Sequence, residues 1–139
     1  MTRIEVKPNN TYYLKLGKYE LNDSGFGPCV VLMYLSDSML TYHHYSEEQI
    51  DTELFPIVNS LNDGSKIILF GGRGSEKINT IISITRKKKI QIISDYNFNL
   101  VPVTSVEITT SEFIVRNNEK EKRTNLGDLQ RLISEKKTK

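Results

Sequence analysis

Apolar residues in this chain fall mostly into short runs, broken by polar turns. The sharpest run is Val30 to Leu35, Val-Val-Leu-Met-Tyr-Leu, which is β-branched, aromatic and free of charge. Runs of that length and type mark buried strands. Ser36-Asp37-Ser38 follows, with side chains that bond nearby backbone and suit a tight bend, and Met39 to Tyr45 reads as the returning strand. Lys66 to Phe70 and Ile90 to Ser94 are further apolar strands. Leu100 to Thr109 and Glu112 to Arg116 pair as a hairpin across Thr110-Ser111. Thr2 to Val6 alternates polar and apolar as an edge strand does, Lys7 to Asn10 is a turn, and Thr11 to Tyr19 reads as one strand.

Helical spacing replaces this pattern elsewhere. Ser46 and Gln49 fit a capping box, with Ser46 as N-cap and Gln49 reaching back. Ile50, Leu54, Ile57, Val58 and Leu61 then recur at helical intervals. Pro56 interrupts them, because it has no N–H to donate. Either a short turn ends near Leu54 and a new helix starts at Pro56, or one helix kinks there. Gly64 is the left-handed residue that ends it. A second helix is expected from about Glu76 to Thr85, burying Ile78, Ile81 and Ile82, and a last one, capped by Asn125, over about 125–136. Asn117 to Arg123 is charged and reads as exposed. These elements define an α+β fold, a layered mixed or antiparallel β-sandwich with helices, in one domain over residues 1–139.

Composition narrows the function classes. A chain of 139 residues can bury a core without disulfides or a structural metal. The single cysteine allows no internal disulfide and fits a reducing compartment. The net charge of +2 makes no case for nucleic acid or a membrane surface. Arg86-Lys87-Lys88-Lys89 reads as exposed cations at a helix end, since no aromatic residues interleave it. No apolar run approaches the roughly 20 residues of a membrane span, and Met1 to Glu5 lacks the apolar segment of a signal peptide. Gly71-Gly72-Arg73-Gly74 lacks the Gly-Lys-Ser/Thr of a phosphate loop, so it reads as a bend from strand to helix. No cofactor or metal is expected.

The chemistry concentrates between Asp23 and Ser46, which hold the only cysteine, Cys29, and both histidines, His43 and His44. A turn at Ser36-Asp37 places His44 directly opposite Cys29. Any hairpin loop with an even number of residues keeps His44 on the face of Cys29 and puts His43 on the other face; an odd loop or a bulge exchanges them. His44 is therefore the expected base and His43 the reserve. Gly25-Phe26-Gly27-Pro28 permits a tight path ahead of Cys29, where backbone N–H groups could hold an oxyanion. An adjacent imidazole raises the thiolate fraction of a thiol whose ordinary pKa is about 8.5. The bland alternative is a small buried cysteine with surface histidines nearby. Asp23 has two readings: it orients the imidazole, or it only shapes the turn.

Phe26-Gly27-Pro28-Cys29-Val30 resembles the Leu-Gly-Ser-Cys-Val segment of the chemoreceptor glutamine deamidase family, CheD. In that family the cysteine opens an apolar strand and a histidine follows on the next one. Lys66-Ile67-Ile68-Leu69-Phe70-Gly71-Gly72 is similar to its Phe-Gly-Gly strand end, and the resemblance runs over roughly residues 10–117. The catalytic domain of the cytotoxic necrotizing factors is similar in its Gly-Cys and downstream His. The likeness implies a cysteine-dependent protein-glutamine deamidase, with Cys29 and His44 as catalytic residues and Gly27, Gly71 and Gly72 lining the substrate site. It also implies a protein partner that presents a glutamine, and a bacterial origin with a possible effector or toxin role. The location would be cytoplasmic, or inside a host cell reached without a classical signal peptide. Pro28 stands where the family has Ser, and Asp23 where it has the Thr that orients the His. Asp95 to Asn99 replaces its Asp-Val-Gly-Gly. A non-catalytic interaction module on the same scaffold, or another thiol acyl enzyme such as a peptidase or transglutaminase, are the alternative readings.

Overall fold

The computed structural model describes residues 2–24, 29–36, 39–62, 64–71, 83–93, 103–117 and 120–133. Their strands form two five-stranded sheets. The first sheet carries β1 (Thr2–Glu5), β3 (Tyr19–Ser24), β8 (Ser105–Ile108), β9 (Glu112–Arg116) and β10 (Glu121–Asn125), side by side in that order. The second carries β2 (Thr11–Lys15), β5 (Met39–Tyr45), β4 (Val30–Ser36), β6 (Lys66–Gly71) and β7 (Gln91–Ile93). The β1–β3 and β6–β7 pairs are parallel and the others antiparallel. This is the layered α+β sandwich that the patterning predicts.

Alternation along the second sheet explains its continuous apolar runs. Val31 and Met33 of β4, Leu40 and Tyr42 of β5, and Ile68 and Phe70 of β6 face the first sheet. They pack there against Leu21, Val106, Ile108, Phe113 and Val115. Val30, Leu32, Tyr45, Ile67 and Leu69 face the other way, onto Ile50, Leu54 and Val58 of the helical segment. A sheet covered on both faces needs apolar residues at odd and even positions alike. Each fully buried side chain of this size contributes about 1.5–3 kcal/mol relative to an exposed one.

The helical cover is one continuous stretch. It passes from α1 (Glu47–Gln49) through a π-helical turn (Ile50–Leu54) into α2 (Phe55–Ser60). The Phe55 N–H bonds Ile50 O, five residues back. The wider turn delivers Pro56 into the first turn of α2, where its missing N–H leaves no gap in the ladder. The chain therefore neither breaks at Leu54 nor restarts at Pro56. Gly64 takes φ +88°, the left-handed conformation expected of it. Residues 83–87 form α3, with Arg86 and Lys87 exposed at its end. The rest of the helix expected from Glu76, with Ile78, Ile81 and Ile82, lies outside the described residues. So do 100–102 of the strand expected to start at Leu100. The last helix, α4 (Leu126–Ile133), touches β4 and β6 of one sheet and β9 and β10 of the other. Leu129 and Ile133 enter the core between them. Asn125 Oδ1 accepts from the Asp128 N–H at 2.8 Å, which is the expected cap.

Two strands differ from expectation. Thr11 to Tyr19 is not one strand. Gly17 adopts φ +86°, Lys18 N–H bonds Lys15 O at 3.1 Å, and the chain turns from β2 in one sheet to β3 in the other. Within Asn117 to Arg123, read as charged and exposed, Lys120, Glu121 and Arg123 are exposed, but from Glu121 on the chain is a strand: Glu121–Asn125 form the edge strand β10 on β9. Its Arg123 pairs with Glu112 and Glu121. Charged side chains on an edge strand discourage further strand pairing. Among the described residues no helix is long and apolar enough to cross a membrane.

Candidate functional site

The site lies where the two sheets meet at the C-terminal end of β5. Leu40, Tyr42 and His44 alternate on the face of β5 that looks toward the first sheet. Leu21 and Asp23 alternate on the facing side of β3, and His44 and Asp23 are both buried. His44 Nδ1 lies 2.9 Å from Asp23 Oδ1 and 3.0 Å from Oδ2. An ionised carboxylate only accepts, so the proton between them belongs to Nδ1. In that tautomer the ring lone pair is on Nε2, which is buried at the far edge of the imidazole. A general base needs this arrangement, with a carboxylate behind the ring to set its orientation and to stabilise its charged form. Asp23 is thus bonded to the imidazole, the contact that its orienting reading requires, and it also accepts from the neighbouring Ser24 N–H at 2.9 Å.

Tyr42 completes the group. Its hydroxyl donates to Asp23 Oδ2 at 2.6 Å, and the ring is fully buried. Burial raises the phenol pKa well above 10, and the adjacent Asp23 carboxylate raises it further. The hydroxyl therefore remains a donor through the working range of any thiol enzyme. Sequence reasoning missed Tyr42. The available signal was its place two residues before His44, on the same face of one strand.

Cys29 stands directly before β4 and is half-buried. The β4–β5 register pairs Val31 with His44 and Val30 with Tyr45. The expectation that His44 lies directly opposite Cys29 is thus corrected by one pair of positions. The turn comes after Ser36, which pairs with Met39, instead of one residue earlier. The loop is still even, so the faces are unchanged: extending the alternation of β4 by one residue puts Cys29 diagonal to His44. Diagonal positions of this kind are roughly 7–8 Å apart at Cα, within reach of a long or aromatic side chain. On the other side of β4, Val30 pairs with Gly71, which brings the end of β6 beside the residue that follows Cys29. Gly27 and Gly72 lie outside the described residues.

His43 belongs to the opposite face. Its Nδ1 is 2.6 Å from Thr11 Oγ1, and its Nε2 is 3.3 Å from Gln49 Oε1. Its ring stacks on Tyr45 with centroids 3.7 Å apart. The amide oxygen of Gln49 accepts a hydrogen bond from Nε2–H, and the Thr11 hydroxyl then donates to Nδ1. Burial lowers the His43 pKa below its ordinary 6.5, although the Gln49 bond opposes this. The expected capping box does not form, because Gln49 turns toward His43, and Ser46 Oγ has no hydrogen-bond partner among the described residues.

Asn9, also missed by sequence reasoning, secures the end of β5. Its N–H donates to His44 O at 2.7 Å, and its Oδ1 accepts from the Ser46 N–H at 2.9 Å. Asn9 has φ +69°, a left-handed conformation in which Asn is favoured over most residues.

A cleft of about 130 Å³, bordered by Tyr34, Leu61, Ser65 and Lys66, opens at the other end of β4, away from Cys29. Among the described residues no three His, Cys, Asp or Glu side chains come together as a metal site. No protein-family model matches the chain, and no curated protein matches its sequence.

Proposed function

We propose that this chain is a cysteine-dependent hydrolase that deamidates glutamine side chains of protein substrates. One observation supports the thiol-hydrolase part: a buried carboxylate and imidazole, Asp23 and His44, are hydrogen-bonded at 2.9 Å on the face of the sheet that Val31 shares, two residues after Cys29. The choice of glutamine rests on the likeness to the chemoreceptor deamidases. Thioester chemistry of this kind uses no cofactor.

In this reading His44 Nε2 takes the thiol proton of Cys29. The thiolate forms a C–S bond to the side-chain amide carbon, and the carbonyl electron pair moves onto oxygen. Backbone N–H groups around Cys29 hold that oxyanion. The intermediate collapses by breaking the C–N bond, and His44 returns the proton to the departing ammonia. Water then attacks the thioester and gives its proton to His44, and the C–S bond breaks. The glutamine has become a glutamate, and Sγ regains its proton from His44. Asp23 stays ionised and steadies the imidazolium in both half-reactions. A reducing setting, cytoplasmic or inside a host cell, keeps the lone thiol active.

The test is incubation with glutamine-bearing proteins, followed by ammonia assay and intact-protein mass spectrometry. The expected result is ammonia release and the mass increase of NH2 replaced by OH, with no backbone cleavage, and loss of both on Cys29→Ser. Cleavage of the substrate backbone would instead identify a peptidase. Amide exchange onto an added amine would identify a transglutaminase. Slow alkylation of Cys29 by iodoacetamide at mildly acidic pH, with no ammonia, would leave an interaction module.

A further inference from the structure

Tyr42 lies in the core between the sheets, where Phe would fill the same space. Its hydroxyl is therefore not explained by packing. It donates to Asp23 Oδ2 at 2.6 Å and the Ser24 N–H donates to Oδ1 at 2.9 Å, while His44 Nδ1 sits between the two oxygens, 2.9 Å from Oδ1 and 3.0 Å from Oδ2. Without Tyr42, Oδ1 would keep the Ser24 donor to itself while Oδ2 held only a share of His44, and the carboxylate would be freer to turn about its Cβ–Cγ bond. Tyr42 fixes the second oxygen and with it the plane of the group. We propose that Tyr42 is a positioning residue: its hydroxyl locks the Asp23 carboxylate in the orientation that holds His44 in the Nδ1–H form. The catalytic meaning of this rests on the deamidase reading, but the lock itself does not. Among the described residues, the titratable side chains bonded to Asp23 are Tyr42 and His44, both from β5.

The experiment uses the full chain with 15N-labelled histidine, at a pH where imidazole is neutral. Wild type, Tyr42→Phe, Asp23→Asn and the double variant are compared. In wild type, His44 should show a protonated Nδ1 and an unprotonated Nε2. Tyr42→Phe should draw the two nitrogen shifts toward each other, leave His43 unchanged, and slow iodoacetamide alkylation of Cys29 about tenfold, the scale of one hydrogen bond to a charged group. In the Asp23→Asn background the same substitution should change neither reading, because the group it positions has gone. Wild-type shifts in Tyr42→Phe, or effects that add independently in the two backgrounds, overturn the proposal. If Tyr42→Phe alone does not fold, the two Asp23→Asn variants, in which no buried charge is left short of a donor, decide it: any difference between them rejects the lock. The shifts are read without substrate, so a wild-type chain that releases no ammonia counts against the deamidase reading alone.

Discussion

His43 and His44 are consecutive and stand back to back across the second sheet. His44 faces inward to Asp23, and His43 faces the helical cover, between Thr11 and Gln49. Their roles should separate cleanly. His44→Ala should lower ammonia release by about 10²–10⁴-fold, the usual share of a general base. His43→Ala should preserve rapid alkylation of Cys29 and cost about 1–2 kcal/mol of stability through its lost hydrogen bonds. Paired activity and urea-unfolding measurements on the two variants check this.

The pH dependence of stability follows from His43. Burial holds its folded-state pKa below 6.5, so the unfolded chain binds the proton more readily. Its contribution is complete above pH 6.5 and is lost as pH falls from there through the folded-state value. Urea midpoints should fall with acidification in that window, and His43→Gln should flatten this part of the profile.

Asp23 is expected to serve structure and chemistry together. Its removal strands two buried partners, Tyr42 and His44. Asp23→Ala should destabilise by about 3–5 kcal/mol, the usual cost of breaking a buried pair. Asp23→Asn should fold well but work poorly, since an amide can present its N–H₂ to the ring and favour the wrong tautomer. Unfolding midpoints and turnover of the two variants test the distinction.

Asn9 separates a side-chain bond from a backbone conformation. Asn9→Gly keeps φ +69° accessible and loses only the bond to Ser46, at about 1 kcal/mol. Asn9→Ala adds the left-handed penalty and should cost about 2 kcal/mol. Thermal or urea unfolding of the two variants gives the comparison.

The charges on β10 should keep its outer edge unpaired. Glu121→Val with Arg123→Val removes the ion pairs to Arg116 and Glu112 and leaves a flatter apolar strand. Light scattering should show stronger self-association than wild type at equal concentration.

The hairpin that carries the thiol and the base was legible from residue types because its flanking residues are apolar and its turn is polar. The register moved without exchanging the sides of His43 and His44, because the two possible turns differ by one pair, which shifts partners along the strands only. β3 was not legible. Its inward positions are Leu21 and Asp23, and a buried aspartate reads as a loop residue until its partners are known. Gly17 was the available sign that the chain turns before β3. β10 was hidden for a similar reason: its residues are charged, and only the neighbouring β9 reveals them as a strand. Tyr42 was legible only as part of the returning strand and not as a donor, because its acceptor comes from the other sheet.

That division between sheets makes the alignment of carboxylate and ring a property of the whole interior. Phe113 and Leu129 belong to the same buried core as Tyr42, and their bulk helps hold the layers at their spacing. Trimming either one would loosen the Asp23–His44 alignment from a distance, well before the chain began to melt.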